Sequence, residues 1–319
     1  MKFDSSRRVS VEVKAMFATF TLALCLIAPV ALRAEGARTF ATPDEAVKAL
    51  MEAAKASSLD DLLKLFGTGG QELISSSDVA TAKQNRDVFI VAMAEGWKLA
   101  DKDATHKELV VGNEAWPFPV PLVKTPKGWM FDTDAGKEEV LDRRIGRNEL
   151  AAIRISQTYV TAQRLYARQG HDGKATGIYA RHIASQPGAT DGLYWIAKHG
   201  EPPSPLGSLV AEAAAEGRQI GANEKGPVPF HGYYFRVLEQ QGANAPGGAK
   251  SYVVNGEMSG GFALVAWPSQ YDATGIMTFI VGPDGIVYEK DLGPQTSTAV
   301  KQITSFNPDK SWTAAASGQ

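Results

Sequence analysis

The stretch GRNELAAIRISQTYVTAQRLYARQG, residues 146–170, constrains the fold most, because its apolar residues recur at helical spacing. Ala152, Ile155, Tyr159, Ala162 and Tyr166 fall on one face, and Arg147, Arg154, Gln157, Arg164 and Arg168 on the opposite one. Gly170 ends the run, as glycine does just past a helix. A helix with one apolar stripe must bury it, and alternating segments downstream offer a surface: YYFRVL, SYVVNG, GGFALVAWP, GIMTFIVG and GIVYEKD. Gly282-Pro283-Asp284-Gly285 supplies a fixed and a permissive dihedral for a hairpin. The pattern predicts a long helix packed on an antiparallel sheet.

Upstream the order is helices, then strands. Thr42-Pro43-Asp44-Glu45 is a capping box with proline at the first helical position. Ser58 opens a second helix that Gly67 ends, and a third covers roughly 78–96. WKLAD, KELVVGN and VPLVKTPKGWMFDT read as strands, the last folded back at Pro126-Lys127-Gly128. The expectation is an α+β chain with an N-terminal domain at 35–135 and a second domain at 136–319. The charged run KEEVLDRRIGRNE, 137–149, reads as the lead into the long helix. Glycine- and proline-rich segments between 187 and 250 read as surface connections, interrupted by a short helix in LGSLVAEAAAEG.

Residues 1–34 read as a secretory signal: Lys2, Arg7, Arg8 and Lys14 precede the apolar run 16–32, and ALRA offers cleavage after Ala34. Ser6-Arg7-Arg8 hints at twin-arginine export, but Ser10 and Glu12 fit that signal poorly and favour the general route. Cleavage removes five basic and two acidic residues and leaves 28 against 33, a net charge of −5. It also removes Cys25, the only cysteine, so the mature chain has no disulfide and no thiolate metal ligand. No basic run marks a nucleic-acid surface, and no membrane span is expected in the mature chain. The place expected for it is the periplasm or outside the cell.

Catalytic signatures are missing. His106, His171, His182, His199 and His231 form no i, i+4 pair, and no GxSxG, SxxK or P-loop occurs. Ser204 reads as a turn or cap residue, Asp134 as a helix cap, and Asp284 and Asp291 as turn or edge residues. His171-Asp172-Gly173-Lys174 sits where a calcium loop could lie, but one carboxylate beside a lysine does not make one. No catalytic residue, metal ligand or cofactor is assigned. Aromatics beside glycine or proline are the candidate ligand or partner surface: Trp116 and Phe118, Tyr194 and Trp195, Tyr233 and Tyr234. Packing between domains explains the same aromatics. A rival reading is an enzyme or small-ligand binder that uses a pocket in the first domain, lined by Phe89, Trp97 and Trp129 with Asp132 or His106 at its mouth.

Longer motifs carry a resemblance. WPFPVPLV, FDTDAGKEEVLDRRIGRNELAAI, DGLYW, PSPLGSLVAEAAAEG, PFHGYYFRVL, GANAPGGAKSYVVNG and GGFALVAWPSQY together resemble a bacterial exported family, domain of unknown function 2950. The likeness spans nearly all of the mature chain, and it implies no functional residues. The second half also resembles, in order of elements, the soluble head of a type IV pilin or pseudopilin. Where a pilin has its apolar half-helix, however, this chain has Lys137, Glu138, Glu139, Asp142, Arg143 and Arg144, which excludes an ordinary filament subunit. The first domain resembles, by pattern only, the cone of nuclear transport factor 2. The expected role is a non-enzymatic envelope protein that binds or assembles with an envelope protein partner, its oligomeric state left open.

Overall fold

The structure, a computed structural model, describes residues 36–316 apart from 68, 75–78, 198–201, 216–221 and 224–225. The expected signal segment, Cys25 and His199 lie outside the described residues. The fold is α+β.

Four helices come first: α1 (Pro43–Ala56), α2 (Leu59–Phe66), α3 (Gly70–Ile74) and α4 (Val79–Glu95). The Thr42 hydroxyl accepts from Glu45 N–H at 3.3 Å, and the Glu45 carboxylate accepts in return from Ala41 N–H at 3.1 Å. Ser58 caps α2 in the same way through Asp61 N–H. Five strands follow: β1 (Trp97–Asp101), β2 (His106–Val111), β3 (Trp116–Pro117), β4 (Leu122–Thr125) and β5 (Gly128–Phe131). They pair antiparallel in the order β1-β2-β4-β5, with β3 beside β2. Gly128, at φ 121°, turns where a Cβ would strike the Phe40 carbonyl, so the β4–β5 turn needs glycine. Val47, Leu50, Phe66, Leu109, Leu122 and Phe131 fill the core between helices and sheet.

The long helix α5 runs Thr133–Arg168, 36 residues and so about 54 Å at 1.5 Å per residue. It corrects two expectations. The charged run 137–149 lies inside the helix, and Asp132, not Asp134, is its cap, accepting from Ala135 N–H at 3.2 Å. Chain direction explains the cap: β5 ends at Phe131, so Asp132 is the first residue free to turn its side chain back onto the helix. The helix also runs through both expected domains. Its first turn is bound to the first core, where the Thr133 hydroxyl donates to the Phe66 carbonyl at 2.6 Å. A Cβ on Gly136 would come within 2.8 Å of Val120, so α5 lies close on that core.

From Ala152 onward α5 belongs to a second core. There it packs on strands β9 (Ala263–Pro268) and β10 (Met277–Val281) of a five-stranded antiparallel sheet. With β8 (Tyr233–Leu238), β11 (Val287–Asp291) and β12 (Thr313–Ala314) the order is β8-β9-β10-β11-β12, so β8 is an edge. Before this sheet come the parallel pair β6 (His182–Ala184) and β7 (Gly192–Tyr194) and the helix α6 (Gly207–Ala215). The hairpin turn at Gly282–Gly285 forms as expected, with Gly285 at φ 82° donating to the Gly282 carbonyl. Among the described residues no helix is long and apolar enough to cross a membrane.

Candidate functional site

The six aromatic candidates do not form one surface. Trp116, 43% exposed, stands beside Phe118 at 6.3 Å between ring centroids, with the Arg143 guanidinium 5.5 Å above the indole. Arg143 also donates to the Pro117 carbonyl at 2.8 Å and pairs with Glu139 at 2.7 Å, so this aromatic pair joins β3 to α5. Tyr233 is fully buried, and its hydroxyl donates to the Met277 carbonyl at 2.9 Å. That corrects its assignment to a surface. Adjacent strand residues face opposite ways, and of the pair only Tyr234 is partly exposed.

The residues expected to line the rival pocket pack in or against the first core. Trp129 is 8% exposed, and Phe89 and Trp97 pack against the same core. Asp132 is engaged as the helix cap, and His106 bonds Asp103 at 2.9 Å in an exposed turn. Backbone and side-chain donors of Thr105 and His106 hold the Asp103 carboxyl far below the usual range.

Two cavities lie beside the second core. One, of about 650 Å³, is lined by Tyr194 and Trp195 together with His171, Asp172 and the loop 184–190. The His171 ring stacks on Tyr166 at 4.0 Å and tilts against Trp195 at 5.3 Å. Its Nε2 is buried without a partner. Burial holds His171 below the usual histidine range, opposed by a bond to the Tyr166 carbonyl and by the Asp172 charge. Burial pushes Tyr166 up to about 12, with Asp172 and Asp191 adding to it. Asp172 itself is taken up by Thr190, which donates to it from both backbone and hydroxyl.

The other cavity, of about 490 Å³, lies between β6 and the edge strand β8. Ile155 and Tyr159 of α5 line it with Ile183, Leu206, Leu209, Val228, Phe230, Tyr234, Phe235 and Val237. Its charged groups are already engaged. Arg181 pairs with Glu239 at 2.7 Å, and Arg236 donates to the Val300 and Ile303 carbonyls at 2.8 Å each. Burial lowers the Arg236 pKa. Among the described residues that line it, no nucleophile stands beside a base. The arrangement can hold apolar matter and can offer hydrogen bonds from the strand edge.

The family model described as "Protein of unknown function (DUF2950)" matches residues 37–315. The chain belongs to this family. No curated protein and no solved structure matches it. The matched region of this DUF2950 chain takes in both cores and both cavities. Among the described residues no group of three or more His, Asp or Glu side chains is placed to hold a metal ion. Sequence reading missed the β6–β8 cavity because Ile155, Ile183, Leu209, Val228 and Phe235 come from five separate stretches. The one available signal was Tyr234, in the aromatic pair that follows Gly232, which does line it.

Proposed function

We propose that this chain is an exported, non-enzymatic binding component of the bacterial envelope, acting in the periplasm or outside the cell, and that it holds an envelope partner at the β6–β8 cavity. The observation that carries this reading is the cavity itself: concave, apolar and bounded by rigid elements, the usual character of a binding site. The N-terminal signal pattern supports export. A long helix on an antiparallel sheet keeps the likeness to a pilin head as a likeness of order. The charged residues of α5 between 137 and 144 keep the chain itself out of a filament core.

The test is a photoreactive amino acid placed at Leu209 in the cavity, or at Leu165 on the exposed face of α5, in cells making the full chain. A product formed from position 209 and absent from 165, on a chain beginning at Glu35, supports the reading. Equal products at both positions, or a chain retained in the cytoplasm with its first 34 residues, overturn it. A small-ligand reading has one observation in its favour, the unpartnered Nε2 of His171 beside Trp195 in the other cavity.

A further inference from the structure

The backbone of β8 says what kind of molecule the cavity takes. Ser269 N–H donates to the Gly232 carbonyl at 2.8 Å, which sets the phase of the β8–β9 ladder. Hydrogen-bonded pairs recur every second residue, so Tyr234, Arg236 and Leu238 turn their backbone groups toward β9. Tyr233, Phe235, Val237 and Glu239 turn theirs the other way. Toward the two ends partners are present: Tyr233 exchanges bonds with Phe230 at 3.0 and 2.8 Å, and the Glu239 carbonyl accepts from Tyr252 at 2.8 Å. Between them, the N–H and C=O groups of Phe235 and Val237 face away from β9, and among the described residues none of these four has a backbone partner. Phe235 and Val237 both line the apolar cavity.

Across that cavity lies β6, whose residues His182, Ile183 and Ala184 line the opposite wall. Among the described residues β6 pairs with β7 alone. Two strand edges therefore border one apolar space, with the Arg181–Glu239 ion pair spanning it at one end.

We propose that the cavity is a strand-acceptor site, in which an extended segment of a partner protein, apolar at alternate positions, pairs with the Phe235–Val237 edge of β8. This rests on the reading of the cavity as the binding site and names its occupant. An extended peptide would pair with these amides and carbonyls, where an alkyl chain would offer them no partner. Nor does a fatty acid find a cation for its head, since Arg181 and Arg236 are engaged. Main-chain bonds along the edge would give affinity, and the apolar walls would select alternate side chains. One face of the incoming strand meets Ile155, Tyr159 and Leu209, and its other face meets solvent.

The experiment uses the full mature chain, a displayed library of random nonapeptides, and the apolar dye 1-anilinonaphthalene-8-sulfonate as a separate probe of the cavity. A selected peptide is expected to slow amide exchange at Phe235 and Val237. Its analogue N-methylated at alternate positions should bind about tenfold more weakly, as loss of a hydrogen bond dictates. V237P removes one of the edge donors while leaving the bonds to β9, and should weaken the peptide by a similar factor. Because a proline can also loosen the strand, the methylated peptide tests the same bonds from the other side. If the dye binds and V228W displaces it, yet no peptide protects the two amides, strand addition is overturned and the cavity reading stands. If neither dye nor peptide enters, both fall. If the two amides are protected in the chain alone and it sediments as a dimer, the occupant is a second copy, and the partner proposal fails.

Discussion

Gln163 and Ala180 hold each other by two hydrogen bonds: the side-chain nitrogen donates to the Ala180 carbonyl at 2.8 Å, and Ala180 N–H donates to the side-chain oxygen at 2.9 Å. Gln163 is fully buried, and its nitrogen also donates to the Tyr159 hydroxyl at 3.0 Å. The segment leading into β6 is thus fastened to α5 by a polar clasp inside an apolar core. Q163A leaves both backbone groups of Ala180 without partners, and each such orphan costs about 1–3 kcal/mol. Urea unfolding should report a loss of at least about 2 kcal/mol on that basis. A loss below about 0.5 kcal/mol would show that water replaces the side chain.

Tyr233 packs against Gly275 so closely that a Cβ there would meet its hydroxyl. G275A is expected to destabilise by about 1–3 kcal/mol, the usual cost of overpacking. Y233F removes the hydroxyl but leaves two ring carbons within 2.6 and 2.7 Å of that Cβ, so the double variant should recover only part of the clash and fall slightly short of the two single losses added together. Thermal unfolding of the four proteins in the cycle measures this coupling. Strict additivity would place the strain elsewhere.

Burial raises the Glu289 pKa, and the nearby Glu149 charge raises it further. A carboxyl raised in the folded state favours folding while protonated, and that contribution disappears as pH rises through its folded pKa. E289Q should therefore stabilise the chain at pH 7 and have little effect below the ordinary glutamate range. The gain is a fraction of a kcal/mol, since the group is partly exposed and solvent screens it. Unfolding midpoints taken from pH 3 to 8 test this, and a gain constant with pH would assign it to packing instead.

Gly146 sits in the middle of α5, with open space where a Cβ would go. G146A should raise stability by about 0.5–1 kcal/mol, because glycine gives up more backbone freedom in a helix than alanine does. A calorimetric melting temperature that stays the same or falls would mean that this point of the helix is not held helical.

The parts legible in sequence were those set by local chemistry. The Thr42 and Ser58 caps, the β4–β5 turn at Gly128 and the apolar face of α5 each depend on residues a few positions apart. The N-terminal extent of α5 was hidden because residues 137–149 lack an apolar stripe. They are held helical by contacts no local pattern encodes, such as Arg143 on Trp116 and Pro117 and Gly136 on Val120. Strand alternation required Tyr233 and Tyr234 to face apart, but only packing against Gly275 decides which one goes inward. The β6–β8 cavity was hidden for a related reason. An unpaired edge is a property of sheet order, and sheet order is decided by which strands meet, here across 25 to 35 residues of chain.

The single helix through both cores also sets an angular phase between them. Each residue of α5 advances the chain by about 1.5 Å and turns it by roughly 100°. An insertion of one residue near Gly146 would swing the β8 edge by about 100° around the helix axis relative to the first core, whereas seven residues, nearly two full turns, would almost restore its bearing. The chain is built as a shaft with a head keyed to each end, and whatever the two ends hold is presented at one fixed relative bearing.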